Sequence, residues 1–562
     1  MSTKVMQVEN QIIETVKNAI ITAQNSGELA QAEIPQFKVE IPNDRSHGDY
    51  AVNAAMVSAK AFKTAPRAIA EAIVKNLNTE NTYIKSVEIA GPGFINITLS
   101  DRYYSDILKD VEQKGADYGK SDFGKNESVL VEFVSANPTG PMHIGNARGG
   151  ALGDCLASVL NAAGYKASRE FYVNDAGNQI EKFKTSLETR YLQLFDSSIE
   201  MPEDAYLGED ITEHAKAFKE IYGDKFVNTT SEERRNALCD FALPKNIQKL
   251  KDDLATYRIT YDRWYHESEL HNSGAVKDIV EKLVASGHTF EKDGALWFKS
   301  TDFGDEKDRV LIRDNGIPTY FVPDIAYHYD KLVTRKFDKA IDVLGADHHG
   351  YIPRMKAAMQ ALGVDPNRLE MLIMQMVRLV KNGETYKLSK RSGKAITLAT
   401  LLEEVPIDAA RLFFNLREPN SHLEFDIDLA VSEDSNNPVY YVQYAHARIC
   451  SILRNLKAQG IEPKELSAES LDCLNAPEER ELIRHIAAYT GEIINSAKEY
   501  NPSIITRYAV TLATLFHKFY NACPVKNAEE NLRAARLNLC VATKTVIKNV
   551  LDLLKITSPE QM

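Results

Sequence analysis

The fold is decided by the stretch Val129-Leu130-Val131-Glu132-Phe133-Val134, which leads through a polar segment into Pro141-Met142-His143-Ile144-Gly145-Asn146. The first six residues have the apolar character of a buried strand. Residues 145–163 predict a helix that stops at Gly164. Residues 166–173 predict a second strand. This order indicates a βαβ unit that opens a doubly wound, Rossmann-like parallel sheet.

The rest of the chain divides around this unit. A chain of 562 residues is too long for one core and suggests about three or four domains. Strands at 83–90 and 94–99, joined by a Gly-Pro-Gly turn, indicate an N-terminal α/β module over 1–120. The α/β catalytic domain is expected over 121–435, with a mostly helical insertion at about 178–295 and further strands near 310–313, 319–322 and 340–344. Helical spacing predicts an all-helical bundle over 436–562.

Composition narrows the class of protein. The chain is 44% hydrophobic and 26% charged, and it contains no apolar run of the ~18 residues needed to cross a bilayer. Its six cysteines show no Cys-x-x-Cys spacing, which argues against a zinc site and favours a reducing compartment. We therefore expect a cytoplasmic protein without a membrane partner. The net charge of −12 argues mildly against RNA binding, but RNA contact needs only a locally basic surface.

His143 stands where a strand gives way to a helix. A helix N-terminus offers unpaired N–H groups and a positive dipole end, so phosphate binds there readily. An imidazole at this point can donate to charge developing on a phosphate. Gly145 would let the backbone approach a nucleotide closely. The alternative, that His143 only caps the helix, stays open on this motif alone.

A second motif, Lys387-Leu388-Ser389-Lys390-Arg391-Ser392-Gly393, has the opposite character. It follows a predicted hairpin with an Asn382-Gly383 turn and forms a cationic loop over 387–393. Such a loop can stabilise a leaving pyrophosphate in the transition state, although most charged runs are simply solvated. Together the two motifs suit attack of a carboxylate on the α-phosphate of ATP.

Four segments resemble the arginyl-tRNA synthetase family of class I synthetases. They are residues 131–148, 345–351, 442–448 and 91–96. The resemblance implies an AMP-forming arginine–tRNA ligase that uses ATP with Mg²⁺, takes L-arginine and tRNA(Arg) as partners, and acts as a monomer without a protein-bound structural metal. Asn146 departs from the class signature, which has a second His there. Leu388 replaces the usual Met, and Lys390 is present although many arginyl enzymes lack it.

The resemblance also implies residue roles. Glu132 and Asp324 would bind the guanidinium, since carboxylates pair with it in a planar, bidentate way. The catalytic residues would be His143, Lys387 and Lys390. ATP would contact His143, Gly145, Asn146, Lys387, Ser389 and Lys390. Arginine would contact Glu132, Ser135, Asn137, Asn146, Tyr320, Asp324 and His348. For Asp324, a strand-end carboxylate that caps a helix remains the alternative.

Contacts with tRNA are implied outside the catalytic domain. Phe94 and Asn96 match residues that stack on and hydrogen-bond a D-loop nucleotide in the family. The alternative for Phe94 is a core residue of a strand. Tyr441, Tyr444 and Arg448 share a helical face in the segment that belongs to the family's anticodon-binding bundle. Part of that face must be core.

Two other functions remain open on the sequence. One is a class I synthetase for another amino acid, which the carboxylates Glu132 and Asp324 disfavour when the side chain is apolar. The other is a catalytically silent RNA-binding relative, against which His143, Lys387 and Lys390 argue. Attachment of amino acids to tRNA and exchange of pyrophosphate into ATP separate these possibilities.

Overall fold

The computed structural model describes residues 4–42, 44–386, 396–463 and 473–562. Its α-helices are α1 Lys4–Asn25, α2 Ala54–Phe62, α3 Pro66–Lys75, α4 Asp101–Lys114, α5 Ile144–Ala162, α6 Gly177–Gln193, α7 Glu209–Tyr222, α8 Ser231–Thr256, α9 Glu267–Asn272, α10 Ala275–Ala285, α11 Phe321–Tyr329, α12 Tyr351–Ala361, α13 Leu398–Glu404, α14 Ile407–Phe414, α15 Ile427–Val431, α16 Pro438–Lys457, α17 Pro477–Lys498, α18 Ser503–Ala522 and α19 Glu530–Leu553.

The strands form four sheets. They are β1 Val39–Glu40, β2 Tyr50–Val52, β3 Ile84–Ala90, β4 Phe94–Leu99, β5 Ser128–Glu132, β6 Lys166–Val173, β7 Arg263–His266, β8 Thr289–Lys292, β9 Ala295–Phe298, β10 Arg309–Ile312, β11 Lys339–Gly345, β12 Leu369–Met374, β13 Val377–Lys381, β14 Glu384–Thr385 and β15 Leu423–Asp426. The N-terminal sheet has the antiparallel order β1-β2-β4-β3. Pro66 begins α3, as expected of a proline in a first helical turn.

The central sheet is parallel throughout and has the order β12-β11-β5-β6-β7. The chain runs outward from β5 to β6 and β7, and then returns to the other side of β5 with β11 and β12. The order therefore reverses between β5 and β11, and ligands bind beside the carboxyl ends of strands at such a switch point. This sheet confirms the doubly wound α/β prediction.

Two local predictions were wrong. Strands β7 and β8 lie inside the range predicted as a helical insertion, about 178–295, and β7 pairs with β6 in the central sheet, so only α6 to α8 are inserted between these two strands. Strand β7 has only four residues, too few for a clear period of two. Residues 319–322, predicted as a strand, lead instead into α11, whose third residue is Pro323. Proline is tolerated in a first helical turn and cannot donate to a strand ladder.

The α5 helix packs closely on the central sheet. At Gly153 an added Cβ would lie 2.2 Å from Cγ of Phe133, so only glycine allows this approach. The C-terminal helices α16 to α19 form the predicted bundle, and α4 packs against α17 and α19. One continuous hydrophobic cluster joins the N-terminal module, the central sheet and this bundle.

In the part of the chain that the structure describes, no helix combines enough length with enough apolar character to cross a bilayer.

Candidate functional site

His143 is the N-cap of α5, at the switch point of the central sheet. Its Nδ1 accepts a hydrogen bond from the backbone N–H of Gly145 at 3.1 Å. A ring nitrogen that accepts carries no proton, so the neutral imidazole carries its proton on Nε2. Partial removal from water lowers the pKa of His143, and the charge of Asp347 opposes this in part. The exposed ring is thus an Nε2–H donor beside a helix N-terminus.

Gly145 and Asn146 hold this cap in place. The Oδ1 atom of Asn146 accepts from the backbone N–H of His143 at 3.1 Å, which completes a capping box. A Cβ on Gly145 would lie 3.0 Å from Cε1 of His143 and would crowd the imidazole. Both residues therefore position His143, in addition to the nucleotide contacts predicted for them.

The residues that follow the second motif contact the first motif. Thr397 pairs with His143 in an isolated antiparallel bridge, and the N–H of Leu398 donates to the carbonyl of Met142 at 2.9 Å. The predicted residues Lys387, Ser389 and Lys390 lie outside the described residues. The residues that follow them are nevertheless hydrogen-bonded to the segment that ends at the N-cap of α5.

A polar cavity of about 420 Å³ opens at the carboxyl ends of β6 and β7. It is bounded by α6, α9 and α11. Its polar lining includes Tyr172, Asn174, Gln179, Lys182, Glu267, Tyr320 and Asp324. Lys182, the cation in this lining, pairs with Asp204 at 3.0 Å. The two predicted arginine contacts Tyr320 and Asp324 thus meet in one cavity, together with the carboxylate of Glu267.

The Asp324 carboxyl has a strongly shifted pKa in this cavity. Burial raises its pKa to about 6, the hydrogen bond from Tyr351 and the nearby His328 lower it in part, and the charges of Glu267 and Glu132 raise it. The hydroxyl of Tyr351 donates to Oδ2 of Asp324 at 2.6 Å. A carboxylate with a raised pKa among other carboxylates favours a cationic ligand.

Glu132 ends β5 and lies behind this cavity rather than in its wall. The chain then turns through Val134 and Ser135, whose φ angles are 70° and 41°. A positive φ is rare for a β-branched residue, and such strain is concentrated at functional sites. Ser135 Oγ donates to Glu132 Oε1 at 2.8 Å and accepts from the N–H of Tyr172 at 3.1 Å. The other Glu132 oxygen accepts from buried Lys331.

The remaining predicted arginine contacts lie at the surface of the same edge. Asn137 is exposed on the loop between β5 and α5. His348 is exposed after β11, with Nδ1 3.1 Å from Oδ1 of Asp347. Its ring is 6.3 Å from the ring of Tyr351, the residue that contacts Asp324. The structure places these residues beside the site without bringing them into the cavity lining.

Phe94 and Asn96 share one face of β4, because they are two residues apart on a strand. Their neighbours Ile95 and Ile97 are fully buried on the core face. Phe94 is half-buried, so it is not the core residue that the alternative required. Asn96, however, is only 7% exposed, opposite Glu88 of β3.

An aromatic cluster surrounds the predicted face of α16. The rings of Tyr441 and Tyr444 lie 4.9 and 5.9 Å from the ring of His517 on α18. The guanidinium of Arg448 lies 4.5 Å from the ring centroid of Tyr520. Among the described residues, His517 Nε2 is buried without a hydrogen-bond partner. This partly exposed cluster offers both stacking faces and a free polar group.

Sequence analysis missed Glu267, Lys331, His517 and Tyr520. Lys331 had a readable signal, because Tyr327, Lys331 and Arg335 recur at a spacing of four, which places them on one helical face. Glu267 follows a strand too short to predict. The two bundle residues needed the packing of α16 on α18 to become visible.

The described residues contain no group of three or more His, Cys, Asp or Glu side chains arranged to hold a metal ion.

Each part of the chain matches a domain of a known protein family. Residues 10–99 match the arginyl tRNA synthetase N terminal domain. Residues 108–434 match the catalytic domain of tRNA synthetases class I (R). Residues 442–562 match the DALR anticodon binding domain. The three matches follow the order of the N-terminal sheet, the central sheet and the helical bundle.

Similar proteins cover the whole chain. An arginine–tRNA ligase of Acetivibrio thermocellus is 52% identical over 100% of both chains. One from Caldanaerobacter subterraneus subsp. tengcongensis is 54% identical over 99% of both. The crystal structure of a putative arginyl tRNA synthetase from Campylobacter jejuni superimposes with a TM-score of 0.75 at 36% identity, over 83% of this chain and 100% of that one. The chain therefore belongs to the arginyl-tRNA synthetase family of class I aminoacyl-tRNA synthetases.

Proposed function

We propose that this arginine–tRNA ligase binds the guanidinium of L-arginine in the acidic cavity at Asp324 and activates the amino acid at the N-cap of α5. The observation that carries the proposal is the raised pKa of Asp324, a half-buried carboxyl in the cavity wall beside the charges of Glu267 and Glu132. A guanidinium supplies the missing positive charge and several N–H donors in one plane. Tyr320, which is 54% exposed at the mouth, would pack against the substrate.

The carboxylate of arginine then attacks the α-phosphate of ATP and displaces pyrophosphate. His143 would donate from Nε2 to the phosphates, and the N–H groups at the start of α5 would add their partial positive charge. Lys387 and Lys390 would stabilise the departing pyrophosphate, with Ser389 beside them. The product, arginyl-adenylate, then passes its arginyl group to the terminal ribose of tRNA. Position and charge supply the catalysis, without a covalent enzyme intermediate.

Smaller roles complete the amino-acid site. Ser135, Asn137, Asn146 and His348 would surround the α-amino end of arginine, and Asn146 would do so while capping α5. Magnesium would arrive with the phosphates of ATP, because Mg²⁺ is usually held by substrate phosphates and one or two carboxylates.

The tRNA would be gripped on both sides of the catalytic domain. Phe94 would stack on a nucleotide of tRNA(Arg), and Asn96 would read its edge. Tyr441, Tyr444 and Arg448 would contact the anticodon, together with His517. Base stacking on aromatic rings contributes about 1–3 kcal/mol per base. The single chain carries all three family domains, which supports a monomer, and its scattered cysteines support the cytoplasm.

Asp324→Asn tests the arginine site. Loss of the charge should raise the KM for arginine by roughly 10- to 100-fold, the effect of about 1.5–3 kcal/mol, while the KM for ATP stays nearly constant. Steady-state aminoacylation with varied arginine and varied ATP measures both. Asp330→Asn is the matched control, since this carboxylate follows α11 but pairs with Arg335. Equal arginine KM values for the two variants would contradict the proposal.

A further inference from the structure

Three carboxylates lie side by side under the amino-acid site. Asp342 of β11 is in register with Glu132 of β5, and Glu132 is in register with Glu170 of β6. Aligned residues of neighbouring parallel strands point to the same face of the sheet. The three residues are 2%, 9% and 0% exposed. Buried carboxylates must be paired, so this row needs partners from the layer that covers it.

One short segment supplies those partners. It consists of the end of α11 and the π-helical turn Asp330–Thr334 that follows. Lys331, which is 0% exposed, donates from Nζ to Asp342 Oδ1 at 2.7 Å and also to Glu132. Arg335 pairs with Glu170 through both of its terminal nitrogens. Single π-helical turns occur frequently at functional sites, where they reorient side chains.

Lys331 therefore directly links the two elements that carry the proposed arginine site, β5 and α11. Glu132 ends β5, whereas Tyr320 and Asp324 lie at the start of α11, the helix that leads into the turn that carries Lys331. We propose that Lys331 is a positioning residue for arginine recognition, which holds the Glu132 carboxylate at a fixed place relative to Asp324. This inference rests on the proposed function, because it assumes that arginine occupies the Asp324 cavity.

The charge of Lys331 matters as much as its position. Its ammonium lies 4.2 Å from the ring centroid of Tyr327, between two carboxylates. Burial alone would lower the pKa of Lys331, but Asp342 and Glu132 raise it to about 12. The residue is therefore charged at neutral pH. A neutral side chain of the same length would leave Asp342 with His328 and Glu132 with Ser135 as partners, but without a cation between the two carboxylates. Their repulsion would then turn Glu132 away from its place.

The test compares Lys331→Met with Arg335→Met. Both variants remove a cation from the same carboxylate row and the same segment, but Arg335 serves Glu170, which plays no part in the proposed site. We expect Lys331→Met to raise the KM for arginine roughly tenfold or more, with the KM for ATP and kcat changed much less. Arg335→Met should leave the arginine KM within about twofold of the parent while losing thermal stability.

A double-mutant cycle shows whether Lys331 acts through Glu132. In a Glu132→Gln background, Lys331→Met should add little to the arginine KM, because the carboxylate that it positions is already lost. If Lys331→Met does not fold, Lys331→Met with Asp342→Asn restores the net charge of the cluster and takes its place. Fully additive effects, or an unchanged arginine KM in the variant that folds, would overturn the inference.

The two hypotheses fail in different ways. If Asp324→Asn raises the arginine KM and the Lys331 variants do not, only the positioning role of Lys331 is lost. If neither change affects the arginine KM, the arginine site itself is misplaced.

Discussion

At the scale of single residues, His143 combines two roles that the sequence presented as alternatives. Its Nδ1 caps α5 by accepting from Gly145, and this leaves Nε2–H directed away from the helix. The cap thus fixes the tautomer that a phosphate-binding donor requires. Capping of the helix therefore gives His143 the tautomer that its proposed catalytic role needs.

His143→Asn should separate these roles. Asparagine is among the best N-cap residues, so the melting temperature should stay close to that of the parent. The Nε2 donor is lost, and removal of one such donor slows a transition state of this kind by about 100- to 1,000-fold. Single-turnover formation of adenylate measures the rate. An unchanged rate with a lowered melting temperature would show that His143 only caps the helix.

Asp324 should make arginine recognition dependent on pH. Its pKa is raised to about 6, so the free protein carries a neutral carboxyl below that pH and an ionised one above it. A guanidinium binds the ionised form, so the KM for arginine should rise as the pH falls through about 6. By the same linkage, ionisation of Asp324 destabilises the ligand-free fold as the pH rises from 3.8 to about 6.

The KM for arginine, measured between about pH 5 and 8, checks this dependence. Asp324→Asn is the control, because an amide does not titrate and its profile should be flat through this range. A parent profile that is equally flat below about pH 6 would contradict the assignment of the raised pKa to the arginine site.

At the scale of elements, α5 connects the two signature motifs through Arg148. This fully buried guanidinium donates to the carbonyls of Gln375, Glu418 and Ser421 at 2.6, 3.0 and 3.0 Å. Gln375 joins β12 to β13, the first strand of the hairpin that precedes residues 387–393. Arg148 therefore ties the helix that begins at His143 to the sheet from which the second motif departs.

Arg148→Met should destabilise this junction. Three buried carbonyls would lose their donor, which should lower the free energy of unfolding by about 3 kcal/mol. Thermal unfolding followed by circular dichroism measures the shift of the midpoint. Arg378→Met is the control, since that side chain is 59% exposed. A midpoint equal to that of the control would mean that the carbonyls find other partners.

Elements with strong local signals could be predicted from the sequence. The strand at 166–173 agrees with β6 residue for residue, and the Asn382-Gly383 turn has φ angles of 53° and 74°, as a two-residue hairpin requires. The start of α11 could not be predicted, because Thr-Tyr-Phe-Val has high strand propensity and its helix is imposed by packing on the sheet. Propensity is a weak prior against such packing.

The site was predictable only where a motif is continuous. His143, Gly145 and Asn146 lie together in the chain and in space. Lys331 and its partner Glu132 are 199 residues apart, and no local pattern indicates that they meet. The cavity at Asp324 likewise exists only because α6, α9 and α11 converge on one sheet edge.

At the scale of the whole molecule, buried hydrogen bonds and ion pairs connect the domains. Arg484 of α17 donates to Asp49 of the N-terminal module at 2.7 Å. Arg411 of α14 donates to the carbonyl of Leu554, which follows α19 of the bundle, at 2.8 Å. Its charge is balanced by Asp154 of α5 at 2.6 Å, and both side chains are fully buried. Breaking such a pair leaves an uncompensated buried charge. The N-terminal module, the catalytic domain and the bundle therefore share one continuous core.

The central prediction is that the acidic cavity selects a cationic, planar amino-acid side chain for attachment to tRNA. The direct measurement is the kcat/KM for charging tRNA(Arg) with labelled arginine, citrulline and lysine by the purified protein. Citrulline has the shape of arginine without its charge, and lysine has the charge without the plane. We predict that arginine exceeds both by at least about 1,000-fold, because only a guanidinium gives the Asp324 carboxylate both a positive charge and planar N–H donors. Comparable charging with citrulline or lysine would contradict the account.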